Sequence, residues 1–155
     1  GQGGHKYDNI RIGINGRIDT LQAAILLAKF EIFEEEIKLR QDVARRYTTI
    51  LSPLSMLKAP RIPEGYVSAW AQYSVMAIDG KHRETLQAGL NQAGIPTAIY
   101  YPKPLHIQGA FAPLGYKVGD FPISEDCASR IFSLPMHPYL KLEDQEKIAS
   151  VLQSL

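Results

Sequence analysis

The chain has 155 residues, is 45% hydrophobic, and carries 17 Lys+Arg against 16 Asp+Glu, a net charge of +1. That composition supports one ordinary globular core and excludes a disordered chain, and so balanced a charge argues against a general nucleic-acid binder, which carries a basic face or arm. A lone cysteine, Cys127, can form neither an internal disulfide nor a cysteine zinc site and points to a reducing, cytoplasmic setting, and no stretch reaches the roughly 20 apolar residues of a membrane span.

The first residues, GQGGHKYDN, are polar and glycine-rich, with no initiator Met and no signal-peptide pattern. They read as a loop entered from elsewhere, so the expectation is a chain that begins inside a larger protein. Residues 1–18 read as loop or extended chain. Asp19 then offers an N-cap, with Gln22 three residues later as in a capping box. Leu26, Phe30, Phe33, Ile37, Ala44, Tyr47 and Leu51 follow helical spacing and predict one long helix that Pro53 ends. Glu34–Lys38 and Glu36–Arg40 stand at i,i+4 on its polar face. The helix is richer in hydrocarbon at its start than at its end, as expected of one that leaves a large body and enters a smaller one. Residues 1–51 therefore read as an interface loop and bridging helix, and residues 52–155 as a small C-terminal α/β domain.

Residues 52–66 form a proline-rich connection, and AWAQYSVMAI (69–78) reads as a strand. A short helix follows with Leu86, Leu90 and Ala93 on one face. Gly94, Ile95 and Pro96 spell a Schellman-type stop. TAIYY (97–101) reads as a second strand, and a long proline- and glycine-punctuated loop then runs from Pro102 to Asp120. Loops of that length in a compact domain are often functional. SEDCASRI (124–131) reads as a helix with Cys127 buried in it as a small apolar residue. IFSLP predicts a third strand, and LEDQEKIASVLQSL (142–155) a last helix. The fold class expected is α/β, a long linking helix followed by a short sheet with helices on it, without the alternating β and α units and glycine-rich turns of a Rossmann domain.

Two places could carry chemistry. Asn15 lies between glycines at 13 and 16 and Arg17 follows the second, directly before the apolar helix start. Backbone N–H groups, an amide and a guanidinium at a helix entrance suit an anion, although the same pattern also describes a plain helix entry with a surface arginine. Tyr100, Tyr101 and His106 cluster where a strand runs into the long loop, supplying hydrogen-bond donors and a group that titrates near neutral pH. The plainer alternative is a core tyrosine and an exposed histidine. His137 reads as a turn residue. The four histidines show no metal-ligand spacing, and no nucleophile elbow, Walker loop or dinucleotide fingerprint occurs.

Taken in order, R-x-G-x-N-x-R-x-D-x-L-Q-A-A-I-L (11–26), YYPKPLHIQGAF (100–111), GDFPISEDCASR (119–130) and SLPMHPYL (133–140) resemble the C-terminal part of the DegT/StrS-type sugar aminotransferases. Within that family, RIGINGRIDTLQAAILLAKFEIFEEEI is most similar to the enzymes that aminate a UDP-3-keto-N-acetylglucosaminuronic acid. The resemblance implies roughly the last two-fifths of a fold type I homodimer that depends on pyridoxal 5'-phosphate and serves surface polysaccharide biosynthesis. Such an enzyme passes an amino group from glutamate to a keto nucleotide-sugar. It implies that Asn15 reaches the cofactor phosphate of the dimer partner, that Arg17 meets an anionic substrate group such as a C6 carboxylate, and that Tyr100, Tyr101 and His106 line the sugar pocket. Tyr100 departs from the histidine that the uronic-acid enzymes tend to carry there. A phenol hydrogen-bonds a carboxylate but brings no positive charge. The family's Schiff-base lysine lies upstream, so this segment is expected to hold no catalytic residue and to be inactive alone. The competing expectation is a non-catalytic module that dimerises through its first helix and binds a nucleotide-sugar or a protein partner.

Overall fold

A computed structural model describes residues 3–155. Eight regular elements follow one another: α1 (Thr20–Phe30), α2 (Phe33–Leu51), β1 (Leu57–Lys58), β2 (Tyr73–Ala77), α3 (Gly80–Gln92), α4 (Pro122–Arg130), β3 (Ile131–Leu134) and α5 (Leu142–Gln153). Two short 3-10 helices, Leu105–Ile107 and Gly109–Leu114, punctuate the long loop.

The single long helix expected between Asp19 and Pro53 is in fact two. Asp19 caps α1 as anticipated, its carboxylate accepting the Gln22 N–H at 2.8 Å, a cap that contributes about 1 kcal/mol. The break falls at Glu31–Ile32, where the Ile32 N–H turns back to the Lys29 carbonyl and Ile32 takes ψ near 2°. No glycine or proline marks the place. What favours a new helix start there is Glu34, Glu35 and Glu36, three carboxylates in the first turn of α2. Phe30 and Phe33 bridge the break with ring centroids 5.6 Å apart. The i,i+4 ion pairs expected along α2 do not form. Arg40 donates to the Trp70 carbonyl, and Glu36 accepts from the Tyr139 hydroxyl.

The two helices have different surroundings. α1 buries none of its residues, with Leu21 and Leu27 more than 70% exposed, whereas Val43, Ala44, Tyr47 and Leu51 of α2 belong to the core. That core closes on β2, where Tyr73, Val75 and Ala77 alternate inward, and on Leu90, Phe132 and Leu152 from α3, β3 and α5.

The sheet is antiparallel throughout, in the order β1-β2-β3, with Tyr73 opposite Leu134 and Val75 opposite Phe132. Two strand expectations are corrected. Residues 97–101 are not a strand: only Ala98 bridges, to Ser133, and the chain then turns away at Tyr101 with φ of 60°. A two-residue strand instead arises in the proline-rich connection, where Leu57 and Lys58 pair with β2. The stop after α3 is as read: Gly94 has φ of 73°, and the Ile95 N–H reaches back to the Leu90 carbonyl at 2.9 Å. Cys127 is half-buried in α4 and not fully enclosed.

Candidate functional site

The turn before α1 is presented to solvent. Asn15 and Arg17 are exposed, as is Ile14 at 99%, and neither polar side chain has a hydrogen-bond or ion-pair partner among the described residues. One part of the expected anion site is altered. Because the Asp19 carboxylate already occupies the Gln22 N–H, the helix entrance offers an anion less than its amides alone would. The anion-binding capacity of this turn resides in the Asn15 amide and the Arg17 guanidinium, a neutral donor and a forked cation that suit a phosphate or a carboxylate.

The second cluster sits where residues 97–101 leave the sheet. Tyr100 is half-buried and Tyr101 is 64% exposed. A third aromatic, unnoticed in the sequence, joins them: Tyr7 makes edge contacts with Tyr100 at 6.5 Å and with Tyr101 at 5.9 Å between ring centroids. Lys6 lies 5.3 Å over the Tyr7 ring. Tyr100 also lines a cleft of about 210 Å³ with Gln72, Thr97, Pro135 and Met136. Tyr101, a non-glycine residue in the left-handed region, is held in a strained conformation of the kind that gathers at binding sites.

His106 is placed differently from the two tyrosines. It is buried against Phe121, with ring centroids 4.8 Å apart, and its Nε2 lies 3.0 Å from Glu125 Oε1. Glu125 also accepts the backbone N–H groups of Gly119 and Phe121. These backbone bonds, with the His106 contact after them, hold its carboxyl below the usual carboxylate range against the opposing effect of desolvation. His106 thus shapes the loop's inner wall, with its Nε2 already engaged. No hydrogen bond or ring contact joins Asn15 or Arg17 to Tyr100, Tyr101 or His106, so the two candidate clusters are separate groups of side chains among the described residues.

Tyr7, Gln108 and Glu125 are the residues that sequence reading passed over. Gln108 and Glu125 stand inside two of the motifs that carry the family resemblance, and their signal was there. Tyr7 packs on two rings far along the chain, Tyr100 and Tyr101, which no local pattern announces.

The sequence and the fold both have relatives among known proteins. A UDP-2-acetamido-2-deoxy-3-oxo-D-glucuronate aminotransferase of Pseudomonas aeruginosa is 46% identical over 147 residues, covering 95% of this chain and 39% of that protein. Among solved structures, a DegT DnrJ EryC1 StrS aminotransferase from Brucella abortus is 49% identical with a TM-score of 0.78, covering 98% of this chain and 39% of the other. The DesV structure of S. venezuelae, in complex with a ketimine intermediate, is 26% identical with a TM-score of 0.81 and the match covers 98% and 40% of the two chains. The chain therefore spans about two-fifths of the length of the relatives it matches. With the family profile matching residues 1–153, the chain belongs to the DegT/DnrJ/EryC1/StrS aminotransferases, a family that depends on pyridoxal 5'-phosphate.

Proposed function

We propose that this chain is the C-terminal part of a sugar aminotransferase that moves an amino group from glutamate to a keto nucleotide-sugar of the uronic-acid type, in the cytoplasm, for surface polysaccharide biosynthesis. The observation that carries the reading is the 46% identity to the Pseudomonas aeruginosa enzyme over nearly the whole chain. The exposed Asn15–Arg17 turn, with donors suited to anions, supports it. In this reading residues 1–51 bridge to an upstream domain that holds the catalytic lysine, and residues 52–155 form the small domain.

Pyridoxal phosphate, when bound, supplies the electron sink and the carrier for the amino group. The residues of this chain bind and orient. The Asn15 amide donates to the cofactor phosphate across a homodimer interface. Arg17 pairs with the substrate's carboxylate, and Tyr100 and Tyr101 line the sugar pocket, where their hydroxyls donate to sugar oxygens and their rings exclude water. His106, held by Glu125, supports that wall. The uncovered apolar residues of α1, Leu21, Ile25, Leu27 and Phe30 among them, are then the surface that packs on the upstream domain and the partner.

The test is amino transfer by the full-length protein containing this chain, assayed with glutamate and a UDP-linked 3-keto uronic acid. Product formation by the full-length protein, with none by the 155-residue segment alone, is expected. Site-specific borohydride trapping of pyridoxal phosphate on a lysine of the isolated segment would overturn the placement of the catalytic lysine upstream.

A further inference from the structure

The segment Gly3–Ile10 does not hang free but straps across the loop that follows Tyr101. Its principal anchor is one side chain. Gln108 is 1% exposed and uses both ends of its amide: Oε1 accepts the Asn9 N–H at 2.8 Å, and Nε2 donates to the Lys103 carbonyl at 3.1 Å. The Ala110 N–H returns to the Asn9 carbonyl at 2.8 Å, so Asn9 is bonded on both its backbone groups. A half-exposed ion pair, Lys103 to Asp8 at 3.7 Å, adds little beside these. The strap's aromatic, Tyr7, then lies against Tyr100 and Tyr101.

A buried glutamine with both amide ends used, between segments 99 residues apart in sequence, is costly unless both segments are in place. It also limits the Asn15–Arg17 turn from its upstream side. The six steps from Asn9 to Asn15 span at most about 22 Å, and Asp19 fixes the downstream side by capping α1. Releasing Asn9 would leave the turn tethered at one end only.

We propose that Gln108 is a positioning residue that latches the strap Gly3–Ile10 onto the Tyr100–Leu114 loop, so that the Asn15–Arg17 turn and the Tyr7–Tyr100–Tyr101 wall are presented to the nucleotide-sugar as one unit. Its effect on turnover rests on the aminotransferase reading; the latch itself does not. Gln108 touches no reacting atom. It acts by holding Asn9 and, through Asn9, the tyrosines and the turn.

The experiment pairs two readouts in the full-length protein. Gln108→Met keeps the length and bulk of the side chain and removes both hydrogen bonds. Amide hydrogen exchange at Asn9 and Ala110 is expected to quicken at least tenfold in this variant, while β2 and β3 stay protected as in the wild type. The KM for the keto nucleotide-sugar is expected to rise about tenfold, and the glutamate half-reaction, which meets the strap only through the Asn15 contact to the cofactor, is expected to fall by a clearly smaller factor. Unchanged exchange at Asn9 and Ala110 overturns the latch, whatever the activity. Quickened exchange with both half-reactions unchanged, or both equally damaged, overturns the positioning role. If the wild type turns over no keto nucleotide-sugar, the functional reading fails, and the exchange data still decide the latch. Tyr7→Leu leaves Gln108 intact and guards against misfolding of the first variant. It is expected to raise the same KM, and a Tyr7→Leu protein with wild-type KM overturns the shared wall.

Discussion

Arg46 and Gln145 are hydrogen-bonded across the α2–α5 interface, the guanidinium Nε donating to Gln145 Oε1 at 2.7 Å. Each has a second bond that fixes the pair: Arg46 Nη2 donates to the Leu140 carbonyl at 2.7 Å, and Gln145 Nε2 to the Val43 carbonyl at 3.0 Å. Gln145 is fully buried. Gln145→Ala would leave the Arg46 Nε and the Val43 carbonyl without these partners. A loss of about 2–3 kcal/mol is expected, read as a lower urea midpoint with unchanged slope.

Tyr47 sits at the centre of the same core and donates from its hydroxyl to the Pro135 carbonyl at 2.9 Å. Burial, then the nearby Tyr73 and Asp144, pushes its ionisation well above the usual phenol range. In the unfolded chain the phenol ionises near pH 10, while in the fold it stays neutral. The stability tied to this group is therefore intact below about pH 10 and declines as pH rises beyond it. Tyr47→Phe is expected to cost about 1 kcal/mol at neutral pH and to flatten the fall in Tm between about pH 9 and 11. A fall as steep as in the wild type would assign the alkaline loss to another group.

Glu125 gives the opposite dependence. Its depressed pKa means that its contribution is present above the usual carboxylate range and is lost as pH falls through the lower folded value. Acidification from about pH 6 to about pH 3 is expected to free the Gly119 and Phe121 amides before the sheet opens, as seen by hydrogen exchange after correction for intrinsic rates. Glu125→Gln should remove most of that pH dependence. An unchanged profile in the variant would show that another carboxylate governs the loop.

Arg17→Ala separates recognition from folding. The side chain is exposed in this chain, so Tm should move by less than about 0.5 kcal/mol equivalent. In the full-length enzyme the nucleotide-sugar half-reaction should weaken by about 2–5 kcal/mol if the guanidinium is desolvated against a carboxylate, with glutamate largely spared. Equal losses in both half-reactions would make Arg17 a structural residue.

Leu27→Glu on α1 tests the uncovered helix. Leu27 is 72% exposed and contributes nothing to the core. The substitution is expected to shift sedimentation of the full-length protein from dimer to monomer while near-UV circular dichroism of the small domain is unchanged. A variant that sediments as the wild type would place the contact elsewhere.

Much of the fold can be read from local chemistry. The Asp19 cap, the Gly94–Ile95–Pro96 stop, the alternation through Tyr73–Ala77 and the amphipathic α5 all follow from rules that act within a few residues. What could not be read depends on distance. The break at Glu31–Ile32 has no glycine or proline to announce it, and the helical spacing of apolar residues continues across it. Residues 97–101 have strand-like composition, yet past Ala98 and its bridge to Ser133 the chain leaves the sheet at Tyr101. The motif containing Tyr100, Tyr101 and His106 was legible as a cluster, but the contacts within it were not. Nothing local says that His106 turns inward to Glu125, or that Gln108 holds a strap from the other end of the chain.

The isolation of α1 from the core has a thermodynamic consequence. An 11-residue helix with one side-chain cap and no buried face is marginal in water, because nucleation costs more than so few turns return. Its order must then be completed by whatever surface covers it, and assembly and local folding become one event. Association should show a larger negative heat-capacity change than the docking of rigid faces of equal area. The turn that carries Asn15 and Arg17 is anchored downstream on that helix through the Asp19 cap, so the burial that orders α1 would also fix the position of those two side chains.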